Sequence, residues 1–183
     1  MHTPSVPNAL FLVLLRTLHL LALALWLGGL VAIGALVAPT AFHAARTAPA
    51  LAGHLPQQNA LAGAVVGGSL RLFNLLTLTC AAVLLAANLL LLPYTSRRWT
   101  GACLAAILVL LASTLYLAFG LTPAMDLAQA QGRMADFDRM HHWYEQLSTL
   151  LQMPLLLLLT VFTALRDSPP SPHHRLNGAG SQS

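Results

Sequence analysis

The stretch that decides the fold is LFLVLLRTLHLLALALWLGGLVAIGALVA, residues 10–38, whose strongly polar side chains are Arg16, Thr17 and His19. About 20 consecutive apolar residues suffice for an α-helix to cross the ~30 Å hydrocarbon layer of a bilayer. The stretch therefore predicts a transmembrane helix. A span that begins at Thr17 leaves Arg16 at the interface, where its guanidinium reaches water and avoids a cost of roughly 2.5–3.5 kcal/mol. Pro39 is predicted to mark the exit from the membrane.

Three further apolar stretches predict spans at about 72–92, 99–121 and 147–165, in addition to the first at about 10–38. The second and third are joined by so few residues that they must form an antiparallel hairpin. Pro154 is expected to kink the last span, which membranes tolerate where neighbouring groups satisfy the freed carbonyl. Residues 40–60 mix Pro, His, Gln and Asn with apolar residues and are predicted to form a loop, with a short interfacial helix inside it as the alternative.

The composition agrees with this architecture. Apolar residues make up 57% of the 183-residue chain and charged residues only 8%, and the mean hydropathy is +0.70. Soluble domains carry about 25% charged residues. So few charges cannot cover a surface that faces water, and lipid must therefore surround much of this one.

Residues 122–146 hold most of the acidic side chains and are predicted to form a helical extramembrane segment that runs into the last span. The fold class is thus all-α, an integral membrane four-helix bundle over residues 10–166. Residues 1–9 are predicted to be an N-terminal tail. Residues 167–183 are rich in Ser, Pro, Gly and His, a composition typical of disorder.

An even number of spans places both termini on one side of the membrane. The Arg97–Arg98 pair lies in a very short loop on that same side. Because short cytoplasmic loops are enriched in Arg and Lys, we expect both termini in the cytoplasm. Nine Arg without any Lys, beside abundant Ala and Leu, point to a GC-rich bacterial genome and hence to a bacterial inner membrane. Cys80 and Cys103 lie inside apolar runs and are interpreted as free thiols.

Several side chains inside or next to the spans are interpreted as a helix-packing and polar network. Small residues let helices approach closely, and Asn and Gln bond between helices within membranes. Arg and Trp suit the ends of spans and the packing between them. The members of this network are Arg16, Trp26, Gly28, Gly29, Arg71, Asn74, Asn88 and Gln152.

A second set could form a metal or proton site. Asp138, His141 and Glu145 share one face at helical spacing, and His19 is the candidate from another helix. Carboxylates and imidazoles at such spacing can converge on a metal ion or pass a proton. The alternative is a network of interfacial hydrogen bonds at the start of the last helix, which the same spacing accommodates.

The motifs favour a non-enzymatic role. The sequence lacks C-x-x-C-H, a P-loop, H-E-x-x-H and G-x-S-x-G, the short motifs of haem attachment, phosphate binding and hydrolysis. No cofactor is predicted, with copper or haem as the alternatives. The Arg residues are scattered, so no nucleic acid is expected as a partner. The expected partners are the lipid bilayer and further copies of the chain in a homo-oligomer.

Three stretches carry a resemblance to a known family: residues 18–42, LHLLALALWLGGLVAIGALVAPTAF; residues 62–76, AGAVVGGSLRLFNLL; and residues 137–152, FDRMHHWYEQLSTLLQ. Together they resemble the bacterial domain-of-unknown-function 4149 family, which is similar to the animal transmembrane protein 205 group. The resemblance implies a four-helix membrane protein and no established activity. Met140 stands where that family has Leu before His141.

His19 and the element Trp26–Leu27–Gly28–Gly29 also resemble a fragment of the copper-resistance D family, whose other helices are not recognisable here. Three hypotheses follow. The first is a multi-pass membrane protein of unknown biochemical role, in envelope maintenance or solute tolerance. The second is copper or other metal handling or transport. The third is a membrane oxidoreductase with haem between His19 and His141.

Overall fold

A computed structural model describes residues 9–94 and 97–166, and within them it contains four long helices and no strand. The four helices cover Leu10–Thr47, Leu55–Leu91, Thr100–Ala130 and Met134–Ala164, and each is long and apolar enough to cross a membrane. The prediction of an all-α, multi-pass membrane bundle is therefore confirmed. The predicted tails lie outside the described residues, except for Ala9 at the start of the first helix.

Short turns divide the long helices into seven α-helical segments. These are α1 (Ala9–Ala32), α2 (Ala38–Thr47), α3 (Leu55–Leu91), α4 (Arg97–Leu115), α5 (Thr122–Ala130), α6 (Met134–Gln146) and α7 (Met153–Arg166). The predicted loop at 40–60 is wrong over most of its length, because α2 and the start of α3 occupy it. The true connection is residues 48–54, with a 3₁₀ turn at Pro49–Leu51 and Gly53 at φ 81°.

Three prolines lie at positions where the chain stays helical. Pro39, Pro123 and Pro154 are each the second residue of a helical segment, and each segment follows a π-helical turn. The residue before each proline donates its N–H five residues back, as in the bond from Ala38 to the Ile33 carbonyl. Proline lacks an N–H and its ring collides with the carbonyl four residues earlier. The wider π turn is one way for a helix to pass such an obstacle. Pro39, expected at the membrane exit, therefore does not end the first helix.

The predicted helical segment at 122–146 is present as two helices. α5 ends at Ala130 and α6 begins at Met134, and Gly132 adopts φ 70° between them. Only a residue without a Cβ reaches that conformation at low cost. At the start of α6, Asp136 pairs with Arg139 on the same helix and with Arg133, the residue before it, each at 2.9 Å.

The centre of the bundle is apolar and tightly packed. Its main cluster contains Trp26, Leu84, Ile107, Leu110 and Leu156, none of which has measurable exposure. Many other leucines point outward, such as Leu72 at 73% exposure and Leu150 at 72%. An apolar outer surface of this extent suits hydrocarbon as the surrounding medium. Cys80 and Cys103 are not joined by a disulfide, as predicted.

Two adjacent glycines on α1 have different surroundings. A Cβ added to Gly29 would lie 2.3 Å from the ring of the buried Phe73, whereas one added to Gly28 would meet nothing within 4 Å. At Gly29, α1 and α3 are therefore in close contact. Gly28 has no such constraint.

We therefore predict that Gly29→Ala destabilises the bundle by about 1–3 kcal/mol, the usual cost of overpacking. Gly28→Ala is the matched control and should change stability by no more than about 0.5 kcal/mol. Unfolding in mixed micelles titrated with a denaturing detergent measures both. Equal effects of the two substitutions would show that the α1–α3 contact is not this close.

Candidate functional site

The imidazole of His19 lies in the interior of the bundle, 5% exposed, between two other helices. Its Nδ1 is 3.2 Å from Asn88 Nδ2 on α3, and its Nε2 is 3.2 Å from Thr163 Oγ1 on α7. One side chain therefore joins three of the four long helices. We call His19, Asn88 and Thr163 the histidine layer.

The partners determine which ring nitrogen of His19 carries the proton. Asn88 Nδ2 is an amide nitrogen that can only donate, so His19 Nδ1 must accept. Nε2 then bears the hydrogen and donates it to Thr163 Oγ1, whose own hydrogen goes to the Leu159 carbonyl at 2.7 Å. Asn88 uses its other hydrogen on the Leu84 carbonyl at 2.9 Å. The arrangement thus suits the neutral imidazole with its hydrogen on Nε2.

A small cavity adjoins this layer. Its volume is about 20 Å³, which is room for roughly one water molecule. It is lined by Arg16, His19, Asn88, Leu91, Cys103, Phe162 and Thr163. A water there would have polar partners on several sides, as buried waters require. Arg16, which the sequence placed at the membrane interface, is thus one of the residues that line this cavity.

A second polar layer lies deeper in the bundle. Gln152 on the last helix donates from Nε2 to Ser113 Oγ at 3.0 Å and to Thr114 Oγ1 at 3.2 Å, and all three are buried. The two hydroxyls in turn donate to the Leu110 carbonyl. These bonds join the third and fourth long helices. We call this group the glutamine layer.

A third polar layer lies towards the end of the bundle away from His19. The Tyr144 hydroxyl donates to Asn74 Oδ1 at 3.0 Å, and Asn74 Nδ2 donates to Thr122 Oγ1 at 3.3 Å. The layer joins the second, third and fourth long helices. We call it the tyrosine layer. Near it, Arg71 and Asp126 form an exposed ion pair at 2.6 Å.

The four residues of the predicted metal or proton site do not come together. His141 Nε2 pairs with Glu145 Oε1 at 3.3 Å and its ring stacks on Phe137, all on α6. The neighbouring Tyr144 contacts Asn74, fourteen residues from Asn88 on the continuous helix α3. At ~1.5 Å per residue, Asn74 and Asn88 are about 21 Å apart along the helix axis. Tyr144 lies beside the first of them and His19 beside the second. His19 and His141 therefore cannot share one metal ion or one haem iron in this structure.

Asp138 is exposed on α6, and His142 approaches Glu145 at 3.9 Å. Within the described residues no group of three or more His, Cys, Asp or Glu side chains is placed to hold a metal ion. On this surface of α6, His141 and His142 both contact Glu145, and His142 also contacts Gln146.

The packing residues take distinct places. Asn74, Asn88 and Gln152 each anchor one polar layer, while Trp26 lies in the core with its indole Nε1 without a hydrogen-bond partner among the described residues. Hydroxyl groups bond to two of these amides: Thr122 and Tyr144 to Asn74, and Ser113 and Thr114 to Gln152. The sequence missed Thr114, Thr122 and Tyr144, because the rotation of each helix decides which side chain meets an amide. Thr163, which bonds to His19, shares a helical face with Gln152 and His141, and this spacing marked it as a polar position.

Comparison with known proteins gives one match. A family model described as a domain of unknown function, DUF4149, matches residues 21–134. No curated protein and no solved structure matches. The match extends from α1 to the start of α6. It includes Asn74 and Asn88, and also Ser113 and Thr114, which bond to Gln152. It does not include His19.

The histidine layer predicts an energetic coupling between His19 and Asn88. In a double-mutant cycle of His19→Ala and Asn88→Ala, we expect a coupling of about 0.6–1.7 kcal/mol, the range for hydrogen bonds between membrane helices. Asn88→Ala combined with Gln152→Ala is the matched control. Those residues lie in different layers, so their effects should add to within about 0.5 kcal/mol. Equal coupling in both cycles would contradict the assignment of separate layers.

Proposed function

This chain belongs to the DUF4149 family of domains of unknown function, and we propose that it is a non-enzymatic protein of the bacterial inner membrane that serves envelope maintenance or solute tolerance. The observation that supports the proposal is the use of its buried polar side chains. His19, Asn74 and Gln152 all bond to groups on other helices. Side chains engaged in this way hold the bundle together.

Both nitrogens of His19 are occupied in the histidine layer. The lone pair of Nδ1 faces an amide hydrogen, and Nε2 carries the hydrogen that Thr163 accepts. A general base or a metal ligand needs a nitrogen lone pair that faces its target. The geometry of His19 therefore supports the role of a connector between helices more than that of a reacting group.

The arrangement of the helices supports a common side for both termini. His19 lies near the start of the first helix, and it contacts Asn88 and Thr163 near the ends of the second and fourth. The Arg97–Arg98 pair follows the second helix on the same side. The preference of Arg for short cytoplasmic loops then favours cytoplasmic termini.

A complementation experiment tests this proposal. A strain that lacks the gene should lose viability under hyperosmotic and detergent stress, and the wild-type protein should restore it. His19→Gln should restore viability in proportion to its folded amount in the membrane, because a connector contributes through the fold. Gly28→Ala, which touches nothing, is the control for expression.

Two outcomes would contradict the proposal. A deletion strain that tolerates both stresses like its parent would argue against the envelope role. A His19→Gln protein that folds at wild-type level and restores nothing would show that the imidazole has a chemical function beyond connection.

Metal handling is a second candidate because one observation favours it. The imidazole of His19 and the thiol of Cys103 line the same cavity, and imidazole and thiolate are ligands that copper accepts. A metal ion there would have to displace Asn88 or Thr163 from a ring nitrogen. That requirement makes this candidate weaker than the first.

Elemental analysis of the purified protein after incubation with copper(I) tests this candidate. Metal handling at the cavity predicts about one equivalent of copper, lost in both His19→Ala and Cys103→Ser but retained in the control His43→Ala. Copper well below one equivalent in the wild-type protein, or equal copper in all four proteins, would exclude the cavity as the site.

A further inference from the structure

The hairpin formed by α5 and α6, residues 122–146, is joined to the rest of the bundle by a π-helical turn at each end. Tyr116–Leu121 precedes the hairpin, and Leu147–Gln152 follows it. Pro123 and Pro154 each come two residues after one of these turns. Proline cannot donate the backbone hydrogen bond that stiffens a regular helix, and long helices bend at prolines and π turns. Both connections of the hairpin therefore contain a point at which the helix can bend.

The hairpin also has an apolar cluster of its own. Met125 and Tyr144 are buried in this cluster, and Phe137 packs against them. Among the described members of the cluster, only Leu70 on α3 lies outside the hairpin and its two flanking turns. The cluster is separate from the main core. The backbones of α5 and α6 come close to each other and to the flanking turns, and close to the other helices at few points. The hairpin can thus move as one body while the main core stays packed.

The charges of the hairpin keep it in contact with water. Four of the five acidic residues of the chain lie in it, at positions 126, 136, 138 and 145, together with Arg133 and Arg139. Charged side chains are costly in hydrocarbon. The hairpin therefore has an aqueous side, and a movement away from α3 would let water in.

Two sets of contacts hold the hairpin to α3. The first is buried: the Tyr144 hydroxyl donates to Asn74 Oδ1 at 3.0 Å, and Asn74 Nδ2 donates to Thr122 Oγ1 at 3.3 Å. The second is exposed: Arg71 Nη2 lies 2.6 Å from Asp126 Oδ2. An exposed ion pair contributes little to stability, and the bond at 3.3 Å is long for a hydrogen bond. These contacts can therefore separate and re-form while the bundle stays folded.

The closed position of the hairpin leaves one polar group unsatisfied. Ser148 lies in the π-helical turn that follows the hairpin, four residues after Tyr144. Its Oγ is buried and has no hydrogen-bond partner among the described residues. Burial of an unpaired hydroxyl is unfavourable, and water that reached Ser148 would remove this cost. The unpaired hydroxyl thus favours opening and opposes the contacts with α3.

We propose that the α5–α6 hairpin is a lid on the bundle. The lid pivots on its two π-helical turns, opens when the hairpin separates from Asn74 and Arg71, and admits water to the interior at Ser148. The proposal goes beyond the connector role of His19 and does not depend on it, because no residue of the histidine layer takes part in the contacts of the lid.

The reactivity of a thiol placed at residue 148 tests the proposal. Ser148→Cys is prepared in the full-length protein, reconstituted in lipid nanodiscs and treated with 2-sulfonatoethyl methanethiosulfonate, a charged reagent that reaches thiols from water. Mass spectrometry of peptides measures the rate of modification at residue 148. Native Cys80, which is buried in the main core, is the internal control. Opening of the lid predicts slow modification at residue 148 and none at Cys80.

Two further substitutions, each combined with Ser148→Cys, weaken the contacts with α3. Tyr144→Phe should raise the rate at residue 148 about fivefold, the change in the open fraction that follows from the loss of one net hydrogen bond. Arg71→Ala should raise it about twofold, as expected for an exposed ion pair. Arg139→Ala is the matched control, because it removes an ion pair to Asp136 that lies within α6. It should leave the rate unchanged.

A rate at residue 148 in either Tyr144→Phe or Arg71→Ala that equals the rate in Arg139→Ala would overturn the proposal. A parallel rise at Cys80 would also overturn it, because the whole bundle would then loosen instead of the lid alone. If Tyr144→Phe does not fold, the comparison of Arg71→Ala with Arg139→Ala decides by itself, since both of these arginines are exposed and neither lies in the core.

Discussion

Hydrocarbon offers no hydrogen-bond partners, so a polar side chain inside this bundle is stabilised by a partner within the protein. His19 illustrates this constraint: its two ring nitrogens meet Asn88 and Thr163, and the first helix is thereby joined to the second and fourth. Gln152 and Tyr144 satisfy the same requirement in the other two layers. The layers differ in their partners, and each therefore fits only one arrangement of the helices.

Between the polar layers the bundle depends on packing. Trp26 and the leucines around it exclude both water and lipid, and Gly29 allows α1 to approach Phe73. The π-helical turns before Pro39, Pro123 and Pro154 let three of the helices continue where proline alone would break them. Because the first helix continues past Pro39, its last part packs against α3.

The four helices could be predicted because length and hydropathy are local properties of the sequence. The family was recognisable from three stretches, residues 18–42, 62–76 and 137–152. The match over residues 21–134 confirms the family and covers the second stretch and most of the first. The importance of Asn74, Asn88 and Gln152 was also evident, since few residues of their kind occur at membrane depth. Their partners were not, because a partner depends on how each helix is rotated about its axis. His19 was grouped with His141 on residue type alone, and topology places these residues at opposite ends of the bundle.

Nitrogen-15 NMR of labelled protein in lipid bilayers tests the central claim most directly, because it reports which nitrogen of His19 carries hydrogen. The bonds to Asn88 and Thr163 predict a neutral ring at neutral pH, with hydrogen on Nε2 and none on Nδ1. The Nδ1 signal should also change in Asn88→Ala. A ring with hydrogen on Nδ1, or a spectrum that does not respond to Asn88→Ala, would contradict the account of His19 as the link between the first helix and the rest of the bundle.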